Sequence, residues 1–136
     1  MHHTKRLLLS ASLLLTALLT SCAQFGYQKA PKTGEVEHVV LIWLKAHGNP
    51  AQRDKIVAST KDFQKHIPGI ISISTGTVLP SDRPVVDDSF DIALVVRFEN
   101  KAALANYEKH PVHTKAVTEV LKPLAGKILV YDATVR

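Results

Sequence analysis

Tyr107, His110 and His113 fall within seven positions of one short stretch, NYEKHPVHTKAV, which spans residues 106–117. A histidine near its ordinary pKa of about 6.5 can take a proton at neutral pH. A tyrosine hydroxyl can donate a hydrogen bond to a carbonyl oxygen as negative charge develops on it. A third candidate, His38, lies inside the apolar run VEHVVLIWL. His110 and His113, three apart, could share a helix face as metal ligands. However, Pro111 interrupts that helix and no cysteine or clear carboxylate completes a set, so no metal is expected. Asp82, Asp87 and Asp88 lack the spacing of a calcium loop and read as a solvated turn. Each candidate also has a structural explanation. Tyr107 can pack with Leu104 and place its hydroxyl on a backbone carbonyl. His113 can cap the break at Pro111, and His38 can be a satisfied core histidine.

The elements that must position these residues are legible from residue 36 onward. VEHVVLIWL, Val36 to Leu44, is β-branched and reads as a strand. Asn49-Pro50 offers a cap and a first helical proline. Ile56, Ser59, Thr60, Phe63 and Ile67 then follow helical spacing, so one helix is expected over Ala51 to His66, stopped by Pro68-Gly69. IISISTGTVL (70–79) and FDIALVVRF (90–98) read as strands around a polar loop. Asn100 caps a helix over Lys101 to Lys109, and Pro111 opens a second piece to about Leu121, halted near Pro123. GKILVYDA (126–133) is the last strand.

The order βαββαβ is the ferredoxin-like split βαβ arrangement, an α+β fold with a four-stranded antiparallel sheet and both helices on one face. Its strands are apolar on both faces. In the first, Val36, His38, Val40, Ile42 and Leu44 alternate with Val39, Leu41 and Trp43. An antiparallel sheet with a wet face should be polar there, so the second face needs cover. A second copy of the sheet is the simplest cover, which gives a homodimeric barrel with a cavity between the two sheets. The face carrying His38, Val40 and Ile42 is the one expected to meet the partner.

The chain has 136 residues, 46% of them hydrophobic and 21% charged, which suits a single domain. Lys5 and Arg6 precede an uncharged apolar run, Leu7 to Ser21, too short to span a bilayer comfortably. It therefore reads as a secretory signal rather than an anchor. It ends in LTSC, which resembles the bacterial lipobox, so acylation is expected at Cys22, the only cysteine. Residues 1–21 are then a signal peptide, 22–35 a lipidated flexible tether and 36–136 the domain. Ala23, rather than aspartate, after the cysteine resembles the outer-membrane pattern in a two-membrane bacterium, facing the periplasm. Removing the signal takes two of the 17 basic residues and leaves a net charge of +3. With no basic run interleaved with aromatics, nucleic-acid binding is not expected.

Several stretches, EHVVLIWLK, IPGI, FDIALVVRFENKAALANYEKHPVH and KILVYD, together resemble the stress-responsive dimeric α/β-barrel domain family. The resemblance covers Glu37 to about Ala133 and is most specific from Asp91 to His113. It implies a ferredoxin-like protomer and a homodimer whose sheets form a barrel. It does not settle function, because the fold hosts many. One plant branch holds polyketide cyclases that use a tyrosine and a histidine at the positions of Tyr107 and His113. The wider superfamily includes cofactor-free monooxygenases and haem-degrading enzymes. Ile92 stands where the cyclase branch carries another pocket histidine.

Two readings follow. One is a lipid-anchored envelope protein, homodimeric, that binds a small apolar or aromatic ligand or serves a stress-related role. The other is an enzyme without a cofactor, similar to a polyketide cyclase or a monooxygenase, acting on an aromatic or polyketide-like carbonyl compound through Tyr107, His113 and His38. Cys22→Ser tests the anchor: the protein should leave the membrane fraction. A variant that still sediments with membranes in high salt overturns acylation.

Overall fold

The computed structural model describes residues 30–136; the expected signal peptide, Cys22 and most of the tether lie outside the described residues. Strands are β1 Val36–Leu44, β2 Ile70–Thr77, β3 Ile92–Phe98 and β4 Ala125–Thr134. Helices are α1 Pro50–Thr60, α2 Phe63–His66, α3 Lys101–Lys109, α4 Pro111–Ala116 and α5 Lys122–Leu124, with a π turn, Val117–Leu121, between the last two. The sheet is antiparallel in the order β2-β3-β1-β4, the ferredoxin-like arrangement.

The caps act as the residue types dictate. Asn49 accepts from the N–H of Gln52 at 3.0 Å and Asn100 from that of Ala103 at 3.0 Å. Gly69 has φ +85°, and a Cβ there would meet the Cβ of Ala103 at 2.5 Å. Both the left-handed backbone and the close approach of α3 therefore demand glycine.

Two helices differ from the sequence reading. The single helix expected over 51–66 is broken at Lys61-Asp62. The hydroxyls of Ser59 and Thr60 donate to the carbonyls of Ile56 and Val57. Such bonds compete with the helical ladder, and the Lys61 N–H closes a tighter turn onto Ala58. Pro123 does not halt the last helix but sits inside its final turn. A proline ring there would clash with the carbonyl four residues back. The widened turn before it, in which the Lys122 N–H reaches Val117, supplies the room.

The core lies between the helices and one sheet face. Ile42, Ile92, Val96, Phe98, Phe63 and Ile67 are all at most 3% exposed, and each such burial contributes about 1.5–3 kcal/mol. Val40, at 6% exposure, is on this face. The face expected to meet a partner is therefore the wrong one. It is the helix-covered face, and Val39, Leu41, Trp43, Ala93 and Val95 occupy the other, half-exposed side.

One buried carboxylate ties the ends of three elements. Asp91, fully buried one residue ahead of β3, accepts from the N–H of Leu44 at 2.9 Å and of Gly48 at 2.7 Å. His47 Nδ1 and the Arg53 guanidinium complete its shell. Burial alone would raise its pKa, but these donors outweigh that and hold it at about 2, below its ordinary 3.8. The stability it provides is thus full above pH 4 and is lost as pH falls toward 2. Asp91→Asn puts an amide N–H₂ against these donors. It should cost about 3–5 kcal/mol and lower Tm by roughly 10 °C or more. The drop in Tm between pH 4 and pH 2 should shrink in the variant. An unchanged Tm in calorimetry would show that this cluster is not a keystone.

Candidate functional site

A cavity of about 460 Å³ lies between the helices and the sheet of a single protomer, within the range of small-molecule sites. The pocket that the sequence reading placed on the partner-facing side of the sheet thus lies on its helix-covered side. His38, Tyr107 and His113, from β1, α3 and α4, all line it. Most of the remaining lining is aliphatic, including Val40, Ile42, Ile56, Leu94, Val117 and Leu121. Ile128 and Val130 of β4 also line it yet stay 40% and 44% exposed, so it opens along the β4 side.

Each polar residue is placed by a local cause. His38 falls on the inward face because β1 alternates, and its exposure is 7%. β4 pairs with β1 so that Asp132 stands directly opposite His38. Their side chains meet at 2.6 Å, His38 Nδ1 to Asp132 Oδ1. A carboxylate only accepts, so Nδ1 carries the proton and Nε2 is left as the acceptor of the neutral ring. Asp132 was not among the sequence candidates. Its signal was present, since a carboxylate ends the alternation Ile128, Val130, Asp132, but only the pairing of β4 with β1 assigns it to His38.

The corner at residues 107–113 resolves into distinct roles. His110 is a helix cap: its Nδ1 accepts from the Val112 N–H at 3.3 Å. His113 is turned back so that Nδ1 lies 3.2 Å from the Glu108 carbonyl. That carbonyl also only accepts, so His113 too holds its proton on Nδ1 and presents a bare Nε2. Burial lowers the His113 pKa and the nearby His38 adds to this, against the raising effect of Glu108. The ring is therefore neutral at neutral pH.

Tyr107, 1% exposed, packs between these groups. Its ring centroid is 4.1 Å from His113, 5.7 Å from His38 and 5.0 Å from Phe98. Burial, with the Glu108 carboxylate, pushes its phenol well above the ordinary value. Tyr107 thus stays protonated and acts only as a neutral hydroxyl. Together these residues provide two imidazole lone pairs, one backed by a carboxylate, and a phenolic donor, all on an apolar cavity. That set suits proton transfer next to a carbonyl. Among the described residues no group of three or more His, Cys, Asp or Glu side chains is placed to hold a metal ion.

Comparison with known proteins places the chain. The family described as Stress responsive A/B Barrel Domain matches residues 36–135. A stress-response A/B barrel domain-containing protein from Arabidopsis thaliana is 29% identical over 104 residues, covering 75% of this chain and 37% of that protein. The chain thus spans just over a third of that relative's length. Among solved structures, a hydroxynitrile lyase from Passiflora edulis superposes with TM-score 0.67 at 24% identity, over 77% of this chain and 96% of that one. A dimeric ferredoxin-like protein of unknown function from Jannaschia superposes with TM-score 0.62 at 23% identity, over 75% and 100%. At these identities the structures speak for the fold alone. Given the match over residues 36–135, this chain belongs to the stress-responsive A/B barrel domain family.

Proposed function

We propose that the protein is a lipid-anchored envelope module that dimerises through the free face of its sheet and binds a small, largely apolar molecule in each protomer. The observation that carries the binding reading is the cavity of about 460 Å³, apolar along most of its wall and polar at His38, Tyr107 and His113. The dimer reading is supported by the half-exposed apolar row Val39, Leu41, Trp43, Ala93 and Val95 and by neighbours described as dimeric. The anchor reading rests on the apolar leader and LTSC, with the outer membrane as the expected site in a two-membrane cell. Native mass spectrometry of protein taken from its own membrane should show two chains and a retained small molecule. Leu41→Asp on the free face should give single chains that still melt cooperatively. A wild-type monomer at micromolar concentration overturns the dimer, and an empty protein that no apolar compound stabilises overturns the binding reading.

A second reading is favoured by the His38–Asp132 pair, which the binding reading does not require. Here His38 Nε2 takes a proton from the carbon beside a bound carbonyl. Asp132 holds the ring and stabilises the imidazolium that forms. The Tyr107 hydroxyl donates to the carbonyl oxygen as it becomes an enolate, and no cofactor enters the step. The test is deuterium incorporation into a methyl ketone in heavy water, followed by NMR. Wild-type protein should speed exchange, and Asp132→Asn should slow it by about 10²–10⁴-fold while the ketone still binds. Exchange no faster than in buffer sinks this reading and leaves the first intact.

A further inference from the structure

We propose that the cavity selects an uncharged amphiphile, a carbonyl or hydroxyl compound with an aliphatic or aromatic body, held head-first at His38, and that it rejects the carboxylate of the same body. The inference rests on the binding reading above and specifies its ligand class.

Three elements run side by side along the cavity and change from polar to apolar in the same direction. On β1 the inward residues are His38, Val40 and Ile42. Opposite them on β4 stand Asp132, Val130 and Ile128. Along the helical wall, His113 is followed by Val117 and Leu121. The two helix-wall ends are fixed. Tyr107 meets His38 edge-on and carries His113 against its own ring, while the Leu124 carbonyl accepts from the Lys45 N–H just beyond the end of β1. The head and tail of a ligand are therefore assigned. From His38 to Ile42 the strand rises about 13 Å, at about 3.3 Å per residue.

Charge decides the kind of head. Among the described residues no lysine or arginine lines the cavity, and the charged residues that do, Asp132 and Glu108, are both acidic. His38 uses its Nδ1–H on Asp132 and His113 uses its own on the Glu108 carbonyl. In their neutral forms both rings thus offer the Nε2 lone pair rather than a donor. The hydroxyls of Ser59 and Thr60 are turned into their own helix. The Tyr107 phenol remains as the head donor. A ketone oxygen needs one donor and has one. An alcohol can accept from Tyr107 and donate to an imidazole. A carboxylate would face two lone pairs and two acidic side chains with a single donor, which leaves a desolvated anion poorly paired.

The experiment is titration calorimetry at pH 8 on the full chain held in amphipol, so that no free detergent competes. The probes are a medium-chain methyl ketone, the primary alcohol and the carboxylate of equal carbon count. The ketone and the alcohol should bind at least about tenfold more tightly than the carboxylate. Tyr107→Phe keeps the packing and the Tm, and should weaken the ketone by up to about tenfold. Ile128→Trp, which narrows the tail end, should weaken a long ketone and spare a short one. A carboxylate that binds as well as the ketone overturns the selectivity. An unchanged ketone affinity in Tyr107→Phe, or equal loss of both ketones in Ile128→Trp, overturns the orientation. If none of the three probes binds, the binding reading itself fails and takes this inference with it.

Discussion

The register between β1 and β4 is the constraint on which the site depends. It sets His38 opposite Asp132, Val40 opposite Val130 and Ile42 opposite Ile128. Side chains alternate across a strand, so a slip of one residue would turn all of β4 over. Tyr131 would then face His38, and the carboxylate would leave the cavity. Contacts on the free face and at the strand end oppose that slip. On the free face Lys127 Nζ lies 4.1 Å above the Trp43 ring. At the other end of the strand pair, the Val135 N–H bonds to Glu35 and the Gly34 N–H to Val135.

The two imidazoles share a tautomer but not an environment. A backbone carbonyl orients His113, whereas a carboxylate orients His38. Burial works against charging His113. The carboxylate behind His38 is the feature the enzymatic reading calls on, while His113 presents its Nε2 as a hydrogen-bond acceptor. The same environment keeps Tyr107 a neutral hydroxyl. One apolar enclosure therefore gives these groups different surroundings, set by their neighbours rather than by their residue types.

The helical wall is irregular where it meets the cavity. The break at His110-Pro111 turns α4 so that His113 folds back over Tyr107. The π turn ahead of Pro123 carries Val117 and Leu121 to the lining, and turns of this type are frequent at functional sites. The bend after Thr60 brings Phe63 under both aromatic partners, 5.9 Å from Tyr107 and 6.0 Å from His113. A straight helix at any of these places would present different side chains to the sheet.

Much of this architecture is local and was legible along the chain. The strand Val36–Leu44, the helix Lys101–Lys109 and the caps at Asn49 and Asn100 follow from alternation, spacing and residues that hydrogen-bond their own neighbours. The two-sided apolarity of the sheet was equally plain, since a period of two exposes it directly. Which side takes the helices was not, because both faces of β1 read alike and only the packing of Phe63, Ile56 and Tyr107 onto the face of His38 and Val40 distinguishes them. The Asp91 cluster gathers groups from residues 44 to 53 around a carboxylate 38 or more positions later, and no pattern in the chain marks that closure. Likewise Tyr107 and His113 could be named from one short stretch, but the 94-residue separation of His38 from Asp132 could not. Spacing along a chain determines which face a residue takes within its own element. Which residue it meets across the fold depends on strand pairing and helix docking, and those come from the packing of the whole domain.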